Sequence, residues 1–277
     1  MLLAILAAAN SISTCTPVPG AEKLWESPSA RYVMVGETHG TNEAPELFAD
    51  LACAASKKRH VMVALEQPPE DQPAIDAFLK SNGGADARVQ FLKAGMWNQP
   101  MKDGRSSQAM LNLFERLRQL KQEGRIRGVA AFQNYDLSVP FSNANEGINR
   151  GMAALLERLA AADPDALVLA YGGSVHMSHD DVPGTAIPSA AGRLPRTETV
   201  SVFVDGEEGS IWNCQDAGAG MQCGQHPYLP QSKVCKTGVG QVVPAQEGQV
   251  MFRGYDAVAC VGKPFTASPP AVPVTGK

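Results

Sequence analysis

The sequence predicts an α/β fold, a mainly parallel sheet flanked by helices, followed by an irregular Cys-rich region. Three observations carry this. Short β-rich apolar runs alternate with helical periodicity through the middle of the chain, as in a parallel sheet with crossover helices. The second run, Val61-Met-Val-Ala-Leu65, is apolar without interruption, as suits a strand covered on both faces. Four of the six cysteines fall between Cys214 and Cys260, among Gly, Pro and Gln.

Taken in order, Arg31-Tyr-Val-Met-Val-Gly36 reads as the first strand. A helix over 43–58 follows, with Leu47, Leu51 and Ala54 on one face. Thr41 or Asn42 can cap it, and Glu43 and Glu46 fall in its first turn, where the dipole favours carboxylates. The second strand runs to Glu66, and Gln67-Pro-Pro-Glu70 breaks the chain before a helix over 73–80. The clearest helix, over 106–123, places Met110, Leu113, Phe114, Leu117 and Leu120 in a buried stripe and stops at Gly124. Gly128-Val-Ala-Ala-Phe-Gln133 is the third strand, 146–161 a helix, and Ala166-Leu-Val-Leu-Ala-Tyr171 the fourth strand, ending at Gly172-Gly173. Thr199-Val-Ser-Val-Phe-Val204 reads as a further strand.

The resulting organisation is a signal- or lipoprotein-like segment over 1–20, an α/β core over 24–212, a disulfide-rich region over 213–263 and a disordered tail over 264–277. Residues 1–9 are too short an apolar run to cross a bilayer but suit a signal h-region, and Ile12-Ser-Thr-Cys15 loosely matches a lipoprotein box. The expectation is an exported protein, periplasmic or held to the envelope by a lipid on Cys15, with Cys53 then a buried free thiol. The four late cysteines read as two disulfides of open connectivity. A formal charge of −4 gives no basic field, so nucleic acid is not an expected partner; a small-molecule substrate or haem is.

The chemistry falls at strand ends. Glu37 and His39 follow the first strand, Glu66 closes the second, Asp136 follows the third and His176 the fourth, and open parallel sheets bind ligands beyond their carboxyl ends. Histidine titrates near neutrality and suits general-base work, and a neighbouring carboxylate can fix its tautomer. Glu66, ending an apolar strand, needs a partner: Arg150, His39 or a metal. Glu37, His39, Glu66, His176 and His179 are the candidate ligands for a divalent metal, although no H-E-x-x-H is present. Trp97, Asp136 and Arg150 are candidates for the pocket wall. Ser174 lacks the G-x-S-x-G context of a nucleophile elbow.

Val35-Gly-Glu-Thr-His-Gly-Thr-Asn-Glu43 resembles the opening motif of the erythromycin esterase-like and ChaN/Tiki-like superfamily. Leu65-Glu66, Asn149-Arg-Gly-Met152 and Gly172-Gly-Ser-Val-His176 follow in the superfamily's order. The resemblance implies an α/β core with its site at the strand ends. Esterase-like members open a macrolide lactone with a histidine as general base. That implies His39 as the base, Glu37, Glu43 and Glu66 orienting it or water, and His176 completing the pocket. Tiki-like members are metal-dependent proteases and ChaN-like members bind haem, so a metal or haem site without turnover is the alternative implied. The chain is shorter than the esterases and replaces their helical extensions with its Cys-rich region.

Overall fold

The computed structural model describes residues 15–273, except 217, 219, 247, 251 and 252. The signal-like residues 1–14 lie outside the described residues. The main sheet is seven-stranded, in the order β3-β2-β4-β1-β5-β9-β8. Its strands are β1 (Tyr32–Glu37), β2 (His60–Leu65), β3 (Gly128–Ala131), β4 (Ala166–Gly173), β5 (Thr199–Glu207), β8 (Gln241–Pro244) and β9 (Ala257–Pro264). All neighbours pair in parallel except β8 with β9. A separate antiparallel hairpin joins β6 (Gly209–Asp216) to β7 (Met221–Tyr228).

Helices α1 (Glu43–Ala55), α2 (Gln72–Lys80), α3 (Ala85–Phe91) and α4 (Gln108–Gln122) cover one face. There Val33, Val35, Leu167, Leu169 and Tyr171 meet Phe48, Phe78, Leu113 and Phe114. On the other face, α5 (Ala144–Ala162) and the single turn α6 (Ser174–Met177) pack Met152, Leu156 and Met177 against Met34, Ala64, Val168 and Ala170. The period-2 alternation of β1 and β4 thus feeds two separate cores, which is why both strands are apolar throughout. The Thr41 hydroxyl accepts from the Ala44 N–H and starts α1; Ser107 does the same for Met110 and starts α4.

The chain runs from β1 outward to β2 and β3, returns as β4 between β2 and β1, and then passes to β5 on the far side. This reversal leaves a crevice at the carboxyl ends of β1, β4 and β2. Register sets the level: Glu37 lies opposite Gly173, and Leu65 opposite Tyr171, so Glu66 comes beside Gly172.

The two late disulfides are Cys214–Cys223, across the β6–β7 hairpin, and Cys235–Cys260. The expectation for the first two cysteines is corrected: Cys15 is bonded to Cys53, so its sulfur carries no lipid and Cys53 is no free thiol. The disordered-tail expectation is also corrected for 265–273. Phe265 and Ser268 are buried, and Thr41 bridges to Ala267. The apolar and hydrogen-bonding contacts of this segment outweigh its Pro-rich composition.

Candidate active site

The Gly36–Gly40 turn is held from two sides. Gly40 adopts φ 99°, a left-handed conformation open to glycine, and a Cβ there would lie 1.8 Å from the Trp212 carbonyl oxygen. Its own carbonyl accepts from the N–H groups of Trp212 and Ser268, both at 2.9 Å. The β6 strand and the C-terminal segment therefore brace the turn that presents His39.

His39 Nδ1 lies 2.9 Å from Glu37 Oε1, and its Nε2 lies 3.8 Å from Glu66 Oε2. Both carboxylates are buried, whereas the His39 side chain keeps 22% of its surface in contact with solvent. Glu66 cannot stay charged there without partners. It has three: Arg105 Nη1 donates to Oε1 at 3.2 Å, the Gly173 N–H donates to Oε2 at 2.6 Å, and His39 stands beyond. The double glycine makes room for this. A Cβ on residue 172 would meet Glu66 Oε2 at 2.5 Å, and one on residue 173 would meet His39 Nε2 at 3.0 Å.

Arg105 is in turn forked onto Asp103, its Nη2 at 2.6 Å and its Nε at 3.1 Å from Oδ2. His176 Nδ1 lies 2.8 Å from Asn149 Oδ1. The Tyr171 phenol is close enough for Glu37 to disfavour its ionisation, on top of strong desolvation. Neither the Tyr171 oxygen nor Glu37 Oε2 has a partner in hydrogen-bonding geometry.

These contacts shift the pKa values of the two imidazoles in opposite directions. Burial alone would lower the pKa of His39, but the Glu37 hydrogen bond and the charges of Glu66 and Glu37 outweigh it, lifting the group above its ordinary 6.5. Burial lowers His176 below 6.5, with His39 and Arg105 adding to it against the pull of Glu66. Glu66 is depressed despite burial, because His39, His176, Arg105 and the Gly173 amide favour its anion. Four side chains from separate parts of the sequence, His39, Glu66, Arg105 and His176, are thus close enough to act on one another's charge.

Other candidates stand elsewhere. Glu43 uses both oxygens to hold Thr266, through its N–H at 2.8 Å and its hydroxyl at 2.7 Å, because the first turn of α1 faces the C-terminal segment. Trp97 is buried in an aromatic cluster with Phe91 and Phe114. Arg150 pairs with Asp136 at 3.1 Å, not with Glu66. His179 Nε2 lies 2.8 Å from Asp256 Oδ2, past the end of α6. Sequence reasoning missed Arg105 and Asp103, which occupy a stretch without periodicity. In the sequence Asn149 marks only the start of the Asn149-Arg-Gly-Met152 motif.

The arrangement does not fit a metal centre. Both Glu66 oxygens are engaged, a guanidinium occupies the cluster, and among the described residues no group of three or more His, Cys, Asp or Glu is placed to hold an ion. The geometry suits proton transfer. A carboxylate fixes one imidazole at Nδ1 and leaves Nε2 3.8 Å from Glu66, beyond hydrogen-bond distance, the arrangement of a general base. Beside it a cleft of about 420 Å³ is lined by Gln67, Met96, Met101, Asp103, Arg105 and Gln133, among others.

No family model matches the chain, and no curated protein matches it in sequence. Solved structures do. A mutant of the erythromycin esterase EreC in its open conformation superposes with a TM-score of 0.65 at 11% identity, over 89% of this chain and 93% of that one. A Bacillus cereus protein gives 0.56 at 14% identity, over 94% and 95% of the two chains. A succinoglycan biosynthesis protein gives 0.53 at 10% identity, over 90% and 91%. The strand order, the convergent strand ends and these superpositions agree: the chain has an erythromycin esterase-like fold.

Proposed function

We propose that this chain is an exported hydrolase that activates water against an ester, lactone or amide. The observation that carries the reading is the Glu37–His39 pair: a 2.9 Å hydrogen bond fixes Nδ1, and Nε2 lies 3.8 Å from Glu66 Oε2 on a side chain that keeps 22% of its surface in contact with solvent. His39 Nε2 takes a proton from water as the water oxygen attacks the carbonyl carbon. Glu37 and Glu66 stabilise the imidazolium that forms, and the imidazolium then returns the proton to the leaving group. Arg105, held cationic by Glu66 and Asp103, supplies positive charge for the developing oxyanion. The adjoining cleft offers glutamine and methionine side chains to a substrate, with Arg105 and Asp103 at its wall. Superposition on EreC supports the fold in which such chemistry is known, and lactones therefore belong in any substrate panel. Three disulfides support an oxidising compartment and so export.

The test is turnover of a panel of esters, lactones and amides by the purified protein and by His39→Ala. The proposal expects hydrolysis of at least one class by the wild type and its loss in the variant. Full activity in a folded His39→Ala would remove His39 from the chemistry.

A further inference from the structure

Asn149 is fully buried on α5, and both ends of its amide are committed. Its Nδ2 donates to the Asn145 carbonyl at 2.9 Å, and its Oδ1 lies 2.8 Å from His176 Nδ1. A backbone carbonyl only accepts, so the amide NH2 must face Asn145 and the amide oxygen must face the histidine. That oxygen also only accepts, so the proton of the neutral imidazole sits on Nδ1. Nε2 is then a bare lone pair.

His39 reaches the same state through a different partner, since Glu37 Oε1 receives its Nδ1–H. The two histidines therefore expose the same atom, but one is backed by a carboxylate and the other by an amide. An amide fixes the tautomer without raising basicity. The charged and titratable groups acting on His176 are Glu66 from the end of β2, His39 from the β1 turn and Arg105 from the turn before α4. A neutral imidazole in this tautomer has no proton to offer an oxyanion; it can only accept.

We propose that Asn149 is a positioning residue that locks His176 in its Nδ1–H tautomer, so that His176 Nε2 accepts a hydrogen bond from the attacking water while His39 removes that water's other proton. The proposal rests on the hydrolase reading above. One water O–H bond breaks toward His39 Nε2, and the water oxygen bonds to the carbonyl carbon. The carbonyl π pair becomes the oxyanion, and on collapse the leaving group takes the proton from His39. His176 keeps its proton count throughout and aims the water.

The tautomer is measured directly by long-range ¹H–¹⁵N correlation on the full chain labelled at histidine, near pH 8, with the His176 signals assigned by their loss in His176→Gln. The expected pattern is a protonated Nδ1 and a bare Nε2 in the wild type. The reverse pattern overturns the proposal whatever the protein hydrolyses. Asn149→Asp keeps the acceptor and adds a charge, so the Nδ1–H tautomer persists and the His176 pKa, read from the same signals, rises. An unmoved pKa overturns the assigned partner. Asn149→Leu removes the acceptor, and kcat is expected to fall up to about 10-fold with KM little changed, the scale of one neutral hydrogen bond. Wild-type kcat in a folded Asn149→Leu overturns the positioning role. Should Asn149→Leu fail to fold, the wild-type tautomer and the Asn149→Asp shift still decide. Absence of any turnover by the wild type sinks the hydrolase reading and the water-holding role with it, and leaves the tautomer measurement intact.

Discussion

Replacing Glu37 with glutamine changes one charge at nearly constant shape, and its consequences follow from the 2.9 Å contact with His39. Hydrogen bonds to charged groups contribute about 1.5–3 kcal/mol and neutral ones about 0.5–1.5, so the charge is responsible for roughly 1–1.5 kcal/mol. At 1.36 kcal/mol per unit, this corresponds to a fall of about one unit in the His39 pKa. The wild-type imidazole stands above its ordinary 6.5, so its stabilising effect is fully present below 6.5 and disappears as pH rises through the folded value. Glu37→Gln should therefore lose more stability near pH 5 than near pH 9. The difference of roughly 1–1.5 kcal/mol corresponds to about 2–5 °C in melting temperature. In kinetics, a base must be deprotonated to act, so the acid limb of kcat/KM should move down by about one unit. The plateau should fall by less than about 10-fold, since proton transfer is partial in the transition state and only part of the lost basicity is felt. Thermal melts at both pH values and a pH–rate profile on a neutral ester read these effects. An unmoved acid limb, together with equal destabilisation at both pH values, would show that the Glu37 charge does not act on His39.

Further perturbations probe other parts of the account. His39→Ala should lower kcat by about 10²- to 10⁴-fold, the usual contribution of a general base, with an unchanged near-UV circular dichroism spectrum. Arg105→Met strips Glu66 Oε1 of its 3.2 Å donor. Because Arg105 is 31% exposed, the usual cost of about 3–5 kcal/mol for orphaning a buried charge is reduced, and about 2–3 kcal/mol is expected from denaturant midpoints. Cys15→Ser opens a loop with a sequence separation of 38, which chain-entropy arguments value at about 4 kcal/mol. Alkylation before and after reduction should find no free thiol in the wild type, and a reactive Cys53 in the variant.

Much of this was legible in the residues. Val61-Met-Val-Ala-Leu65 and Ala166-Leu-Val-Leu-Ala-Tyr171 read as covered strands because an apolar run of that length has few other uses. Glu37, His39, Glu66 and His176 stood out because each ends or follows such a strand, and parallel pairing brings those ends to one level. What escaped notice depends on contacts that no local pattern encodes. Arg105 lies between two helices in a turn without periodicity, and its choice of Glu66 over the expected Arg150 pairing depends on how that turn crosses the His39–Gly40 backbone. Asn149 reads as an ordinary helical polar residue, and only the packing of α5 under α6 turns it toward His176. Glu43 belongs to the same motif as Glu37, yet the direction of α1 sends it to Thr266. The β9 strand was hidden because its apolar half, Ala257-Val-Ala-Cys-Val261, gives way to Gly262-Lys-Pro264 and enters the sheet after a long excursion. The Cys15–Cys53 bond was missed because a bridge between distant residues leaves no trace in spacing.

The most direct measurement of the central claim is the pH dependence of kcat/KM for the best ester or lactone, recorded on chelator-treated wild type and on His39→Ala. A single acid limb above pH 6.5 that survives chelation and vanishes with the imidazole is the expected result. Turnover of undiminished rate and profile in the folded alanine variant would contradict it.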